Sequence, residues 1–377
     1  MGFRRFTEEG YTLSYATYVP TRGPATARAE EQARITGKLD PLVDPAEYGI
    51  VRSSRMRFEE RPDGLFTVTI GCPATVETRL DTTGSMGGMV DDALKGLKNL
   101  YLLVQQVLPG SDLQVAIGIF GDCDDPQFVL CRPQFEMEAE KIVRQLTLMV
   151  PEGGGCANWG EDPHYGIFGS AYLTDAYINR IGLKGYDFTV TDEPARDHLR
   201  EHQLVRIFGK DVFDKVAENG HLVDRRDLPD TKQVVDKLLE RAHGFVLSVG
   251  DRYNAVRFWQ QMYGPERVIL LPDINYVAHA QAAIVGLTEG TLNLEEVEPF
   301  LRRNGVDNFA ARQLMRSVVN IPLGAQAALP NFDRRPKAGD VFRTKTDLWP
   351  MDPSEVPALP EQPDDPSEIL WGEGGLL

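Results

Sequence analysis

"TVETRLDTTGSMGG" (Thr75–Gly88) decides how the fold is read. Thr75–Leu80 has the composition of a strand, and it delivers Asp81 onto a turn of hydroxyls and glycines. Two chemistries want a carboxylate and several hydroxyls where a strand ends. One is a cation held by hard oxygens, the other an aspartyl nucleophile in phosphoryl transfer.

Working outward, the periodicity alternates between 2 and 3.6. "GLFTVTIG" (64–71) reads as a strand ahead of the turn. Val90, Ala93, Leu94, Leu97, Leu100, Tyr101, Val104 and Val107 mark one face of a helix that Pro109 ends. "LQVAIGIFGD" is apolar almost throughout, as a strand buried on both faces must be. "PQFVLCRP", "GYDFTVTDE", "HGFVLSVGD" and "RVILLPD" read as further strands, with helical stretches between most of them. This alternation predicts an α/β fold, a doubly wound and mostly parallel sheet flanked by helices. Ligands of such sheets lie beyond the carboxyl ends of the strands. Asp81, Asp122, Asp192, Asp251 and Asp273 all fall there.

The organisation divides into an N-terminal extension with a strand (1–73), the α/β domain (74–290), a helical segment (291–345) and a tail (346–377). The tail is rich in proline and acid, too poor in apolar mass for a core, and reads as disordered. Ile369, Leu370 and Trp371 within it suit either a short docking motif or an inert solubilising end.

The 377 residues carry 42% apolar and 25% charged side chains and a net charge of −16. That acidity argues against nucleic acid as a partner. No run of 18 apolar residues spans a membrane, and no apolar stretch follows Arg4 and Arg5 as an export signal requires. Cys72, Cys123, Cys131 and Cys156 lack metal-type spacing and read as free thiols of a cytoplasmic protein.

Asp81, Thr83 and Ser85 alternate, so a turn curling around one point lets their oxygens converge on Mg²⁺ or Mn²⁺. The same residues would serve as an ordinary helix cap. Two further loops of the same rim offer oxygens. In "PEGGGCANWGEDPHYG" (151–166) the glycines admit close approach, and Asn158 or Glu161 presents an oxygen. The other is Asp192, ending "FTVTD".

"LDTTGSM", "GGGCANWGED" and "TVTDE", in this order, resemble a von Willebrand factor A domain with its metal-ion-dependent adhesion site. The resemblance covers roughly 74–290. The family's pattern is Asp-x-Ser-x-Ser, a Thr from a second loop and an Asp from a third. Asp81, Thr83 and Ser85 match the first motif, with Thr for its first Ser. Asp192 matches the last acid, with Glu193 in place of the usual Gly. "Asn-x-x-Glu-Asp" in the second loop resembles the family branch with "Asp-x-Pro-Glu", which puts Asn158 in the coordination shell. The resemblance implies one Mg²⁺ or Mn²⁺ per chain, with an open position that a carboxylate of a partner protein completes. It also implies an adaptor rather than an enzyme, working in the cytoplasm beside an AAA+ ATPase of the MoxR class.

Three other patterns suggest other chemistries. "HLREH" (198–202) matches the H-x-x-E-H of inverted zinc peptidases, with His198 and His202 on one helix face and Glu201 as base. It lacks an identified acidic third ligand. "GDCDDP" (121–126) suggests a second metal but reads better as a solvated loop, with Asp122 orienting the first site from behind. An aspartyl-phosphate turn would need Lys at position 82, where Thr stands.

Overall fold

A computed structural model of the chain describes residues 27–86, 97, 99–108, 110–124, 128–152 and 160–344. Along it the strands are β1 (Val51–Arg52), β2 (Arg57–Glu60), β3 (Phe66–Ile70), β4 (Ala74–Asp81), β5 (Leu113–Phe120) and β6 (Leu130–Cys131). They continue with β7 (Thr174–Asp175), β8 (Gly185–Thr191), β9 (Ala242–Ser248), β10 (Val268–Leu270) and β11 (Val341–Phe342). Six of them form the main sheet in the order β10-β9-β8-β4-β5-β6, parallel except for β6. Helices cover both faces, so the fold is the expected α/β arrangement with a mostly parallel sheet.

The order places β4 in the middle. From it the chain runs outward to β5 on one side, then returns to β8 on the other. Connections therefore diverge at the carboxyl end of β4, where a crevice opens in such sheets. Register aligns the three loop starts: Asp81 faces Phe120 of β5, and Leu80 faces Val190 of β8.

Alternation along β4 and β8 sends Ala74, Val76, Leu80, Tyr186, Phe188 and Val190 into one apolar layer. That layer includes the helices Leu100–Val107, Ala139–Thr147, Val277–Glu289, Leu294–Arg303 and Asn308–Ser317. The two helices of the segment after 291 thus share the core of the main sheet. On the opposite face the same strands bury Glu77, Arg79 and Asp187. Arg79 donates to Asp187 (2.7 Å), Thr189 (2.8 Å) and Ser170 (2.5 Å), and Arg132 clamps Glu77 (2.7 and 3.0 Å). This ionic layer lies under helix Pro163–Tyr172, whose ten residues are all buried. Gly166 and Gly169 admit it: a Cβ there would stand 3.0 Å from Arg79 and 3.3 Å from Arg132.

β3 does not join the main sheet. It pairs with β2 and β11 in a three-stranded antiparallel sheet, and β1 pairs with β7. Cys72, Cys123 and Cys131 are free and buried. Among the described residues no helix is long and apolar enough to cross a membrane. Asn158, Trp159 and Cys156, the start of the helix expected after Gly88, and the tail with Ile369, Leu370 and Trp371 lie outside the described residues.

Candidate metal centre

β4 ends with Asp81 fully buried, and the turn folds back on its carboxylate. Thr83 donates to Asp81 Oδ1 through its amide (2.9 Å) and its hydroxyl (2.7 Å). Thr191, the last residue of β8, donates its hydroxyl to Asp81 Oδ2 (2.8 Å). Thr82, outside the alternating motif, has a separate task. Its amide and hydroxyl both donate to Phe120 O at 2.9 Å, which ties the turn to the end of β5.

Ser85 closes the ring of oxygens. Its hydroxyl lies 3.3 Å from Thr83 Oγ1 and donates to Asp192 Oδ1 (2.8 Å). The structure therefore brings four of the five expected residues, Asp81, Thr83, Ser85 and Asp192, into one hydrogen-bonded cluster. Asn158 lies outside the described residues. The other second-loop candidate, Glu161, arrives at the cluster. Glu161 and Ala195 form a parallel bridge, with Glu161 N donating to Pro194 O (3.0 Å) and Arg196 N to Glu161 O (3.2 Å). Its side chain is buried, and Oε2 has no hydrogen-bond partner among the described residues.

Electrostatics sharpen the picture. Asp81, Asp122, Glu152, Glu161, Asp162, Asp192 and Glu193 are all buried at this rim. Burial, opposed by its hydrogen bonds and reinforced by Asp192, pushes the Asp81 carboxyl up to about 7. Burial and then the charges of Asp81, Glu193 and Asp122 push Glu161 up to about 9. Such a surplus of buried negative charge is relieved by protons or by a cation. The donor set, carboxylates and hydroxyls with one orphaned carboxylate oxygen, suits Mg²⁺ or Mn²⁺.

A carboxyl raised on folding stabilises the fold only while protonated. Its contribution is complete below the unfolded value, about 4, and is lost as pH rises through the folded one. Without divalent ions, thermal stability should therefore fall as pH rises through about 7 and then about 9, the Asp81 and Glu161 values. Saturating Mg²⁺ should flatten that fall, because ion and proton compete for the same charge. Melting curves across this range with and without Mg²⁺ check it, and parallel slopes would contradict it.

No protein-family profile matches the chain, and no curated protein matches it. Among solved structures it is similar to the pilus adhesin SpaC of Lactobacillus rhamnosus GG, at 14% identity and a TM-score of 0.38. That match covers 62% of this chain and 33% of the adhesin. Proximal thread matrix protein 1 of the mussel byssus matches at 12% identity and a TM-score of 0.37, over 58% of this chain and 48% of that one. The chain thus spans a third to a half of these proteins, and likeness at this level carries no argument about function.

Next to the cluster a second set of ligand atoms, from Asp122, Cys123 and Asp162, comes together. The expectation of a solvated loop here is corrected: Asp122 and Cys123 are buried. The physical reason is Arg196, which reaches in from the loop after β8. Its guanidinium pairs with Asp162, with Asp122 (3.0 Å) and with Asp124 (3.2 Å), so this acidic group already has its cation. Glu152 Oε2 accepts from the Asp122 amide (2.6 Å) against Gly121, where a Cβ would stand 2.3 Å from that oxygen. His164 is fully buried against Tyr165, and burial lowers its pKa to about 3.

"HLREH" does not form the expected face. The helix starts at Glu201, so His198 precedes it, bridging to Asp230 instead. Glu201 pairs with Arg225 at 3.0 Å on the surface.

Proposed function

We propose that this chain is a protein-binding module whose rim holds one Mg²⁺ or Mn²⁺, as the resemblance to von Willebrand factor A domains implies. The observation that carries this reading is the convergence of Asp81, Thr83, Ser85 and Asp192 beside Glu161 Oε2, which has no hydrogen-bond partner among the described residues. These side chains would hold the ion, with Asn158 as the remaining candidate from the second loop. When bound, the ion supplies a positive charge with an open position in a poorly hydrated rim, and a carboxylate is the ligand it favours. Thr191 and Thr83 fix both Asp81 oxygens, and Ser85 fixes Asp192, so the donors are oriented before anything binds. An acidic protein thereby recognises an acidic group on its partner. The same resemblance suggests a cytoplasmic adaptor without enzymatic activity, working beside an AAA+ ATPase of the MoxR class.

A contact through the ion at the centre of a dry interface is a hot spot, so losing it should cost about 2 kcal/mol or more, roughly a thirtyfold weakening. EDTA should release the captured partner from immobilised protein, and Mg²⁺ should restore it. Thr83→Ala should behave as the wild type does in EDTA. Recovery of the same partners with EDTA as with Mg²⁺ would sink the proposal, even where an ion is bound.

A further inference from the structure

Beside Asp192 sits a guanidinium that the adhesion-site reading does not use. Arg252 Nε lies 3.0 Å from Asp192 Oδ2, Arg252 Nη1 lies 3.7 Å from Glu193 Oε1, and the Arg252 amide donates to Asp192 O (3.0 Å). The other Asp192 oxygen already accepts from Ser85. Arg252 therefore holds the oxygen that Ser85 leaves free, and an ion drawing on Oδ2 must share it with that guanidinium.

From this geometry we infer that Arg252 is a built-in competitor of the divalent ion for Asp192, and that it sets the affinity of the site. The inference rests on the metal reading above and adds to it a residue of this chain that tunes it. Three features support it. The Arg252 side chain is 54% exposed whereas that of Asp192 is only 6% exposed, so the guanidinium can move into water while the carboxylate stays buried. An exposed cation of this kind gives up a partner at little cost. Arg196, another guanidinium at the rim, is 15% exposed and held by Asp122, Asp124 and Asp162, so it is fixed where Arg252 is displaceable.

The backbone supplies the third feature. Tyr253 (φ 51°) and Asn254 (φ 60°) are consecutive non-glycine residues in the left-handed region, which Asn tolerates but which disfavours Tyr253. The strained turn follows Arg252 directly, and Asp251 Oδ1 anchors it by accepting from the Val256 amide (3.0 Å). Gly250 lets the loop pass close to the acid, since a Cβ there would stand 3.3 Å from Asp192 Cβ. The loop thus accepts strained backbone while it brings a positive charge to an acid that an incoming ion would also use.

Removing that charge takes away a competitor and a repulsion together, and both changes favour the ion. The test is calorimetric titration of the full chain with Mg²⁺ alone, for the wild type, Arg252→Gln and Arg252→Lys. Arg252→Gln should bind Mg²⁺ about two- to fivefold more tightly, the scale of one partly exposed charge pair. It should also melt at a lower temperature than the wild type without Mg²⁺, and regain that loss with it. Arg252→Lys keeps the charge without the planar fork, and its affinity should fall between the other two. Unchanged or weaker Mg²⁺ binding by Arg252→Gln, beside a wild type that binds, overturns this inference and leaves the metal site standing. No Mg²⁺ binding by any of the three overturns both.

Discussion

Asp187→Ala should lower the unfolding free energy by about 3–5 kcal/mol, the cost of stranding half of a buried ion pair. Arg79 would lose the carboxylate that binds it at 2.7 Å, between the central strands and a helix with no exposed residue. Glu77 lies 4.0 Å from Arg79 and is already clamped by Arg132, so it cannot replace Asp187. The double variant Arg79→Met/Asp187→Leu removes both charges and should recover most of the loss, because apolar replacements of a buried pair are often neutral or better. Urea unfolding of the two variants measures this. A loss under about 1 kcal/mol for Asp187→Ala would mean that water or a neighbour screens the layer.

At the rim, Asp81→Asn should eliminate the rise in melting temperature that Mg²⁺ produces. The amide keeps the shape and the oxygen that Thr83 uses, but not the charge that makes the site attractive to a cation. At an ion concentration of about a hundred times Kd the wild type should gain roughly 2.7 kcal/mol, and the variant nothing. Without Mg²⁺ the variant should match or exceed the wild type near neutral pH, since it deletes a buried carboxyl raised to about 7. A Mg²⁺ response of wild-type size in Asp81→Asn would remove Asp81 from the site.

The sheet was legible because "LQVAIGIF" and "FTVT" are nearly continuous apolar or β-branched runs that end on acids. The rim followed from where those runs stop. Helix Pro163–Tyr172 escaped reading because it has no polar face: burial on all sides erases the 3.6-residue period, and Gly166 and Gly169 resemble loop residues. The loop 121–126 reads as solvated because the cation that buries its Asp122, Arg196, lies 74 positions away. Pairing at that distance leaves no local trace. Thr191 stands directly before Asp192 in "TVTDE", yet strand pattern alone explains a Thr there. Arg252 follows an acid at a strand end, where an arginine reads as an ordinary surface residue. β3 was legible as the strand of the N-terminal extension, but its partner β11 comes from beyond residue 340.

This rim should bind one divalent cation through Asp81, Thr83, Ser85 and Asp192. The most direct test is metal content and stoichiometry: elemental analysis of the purified chain, followed by calorimetric titration of the stripped chain with Mg²⁺ and Mn²⁺. The account predicts a single site per chain for either ion, lost in Asp81→Asn and retained when His198 and His202 are both replaced by alanine. Binding of neither ion, or one tightly held Zn²⁺ that disappears with those two histidines, would contradict it.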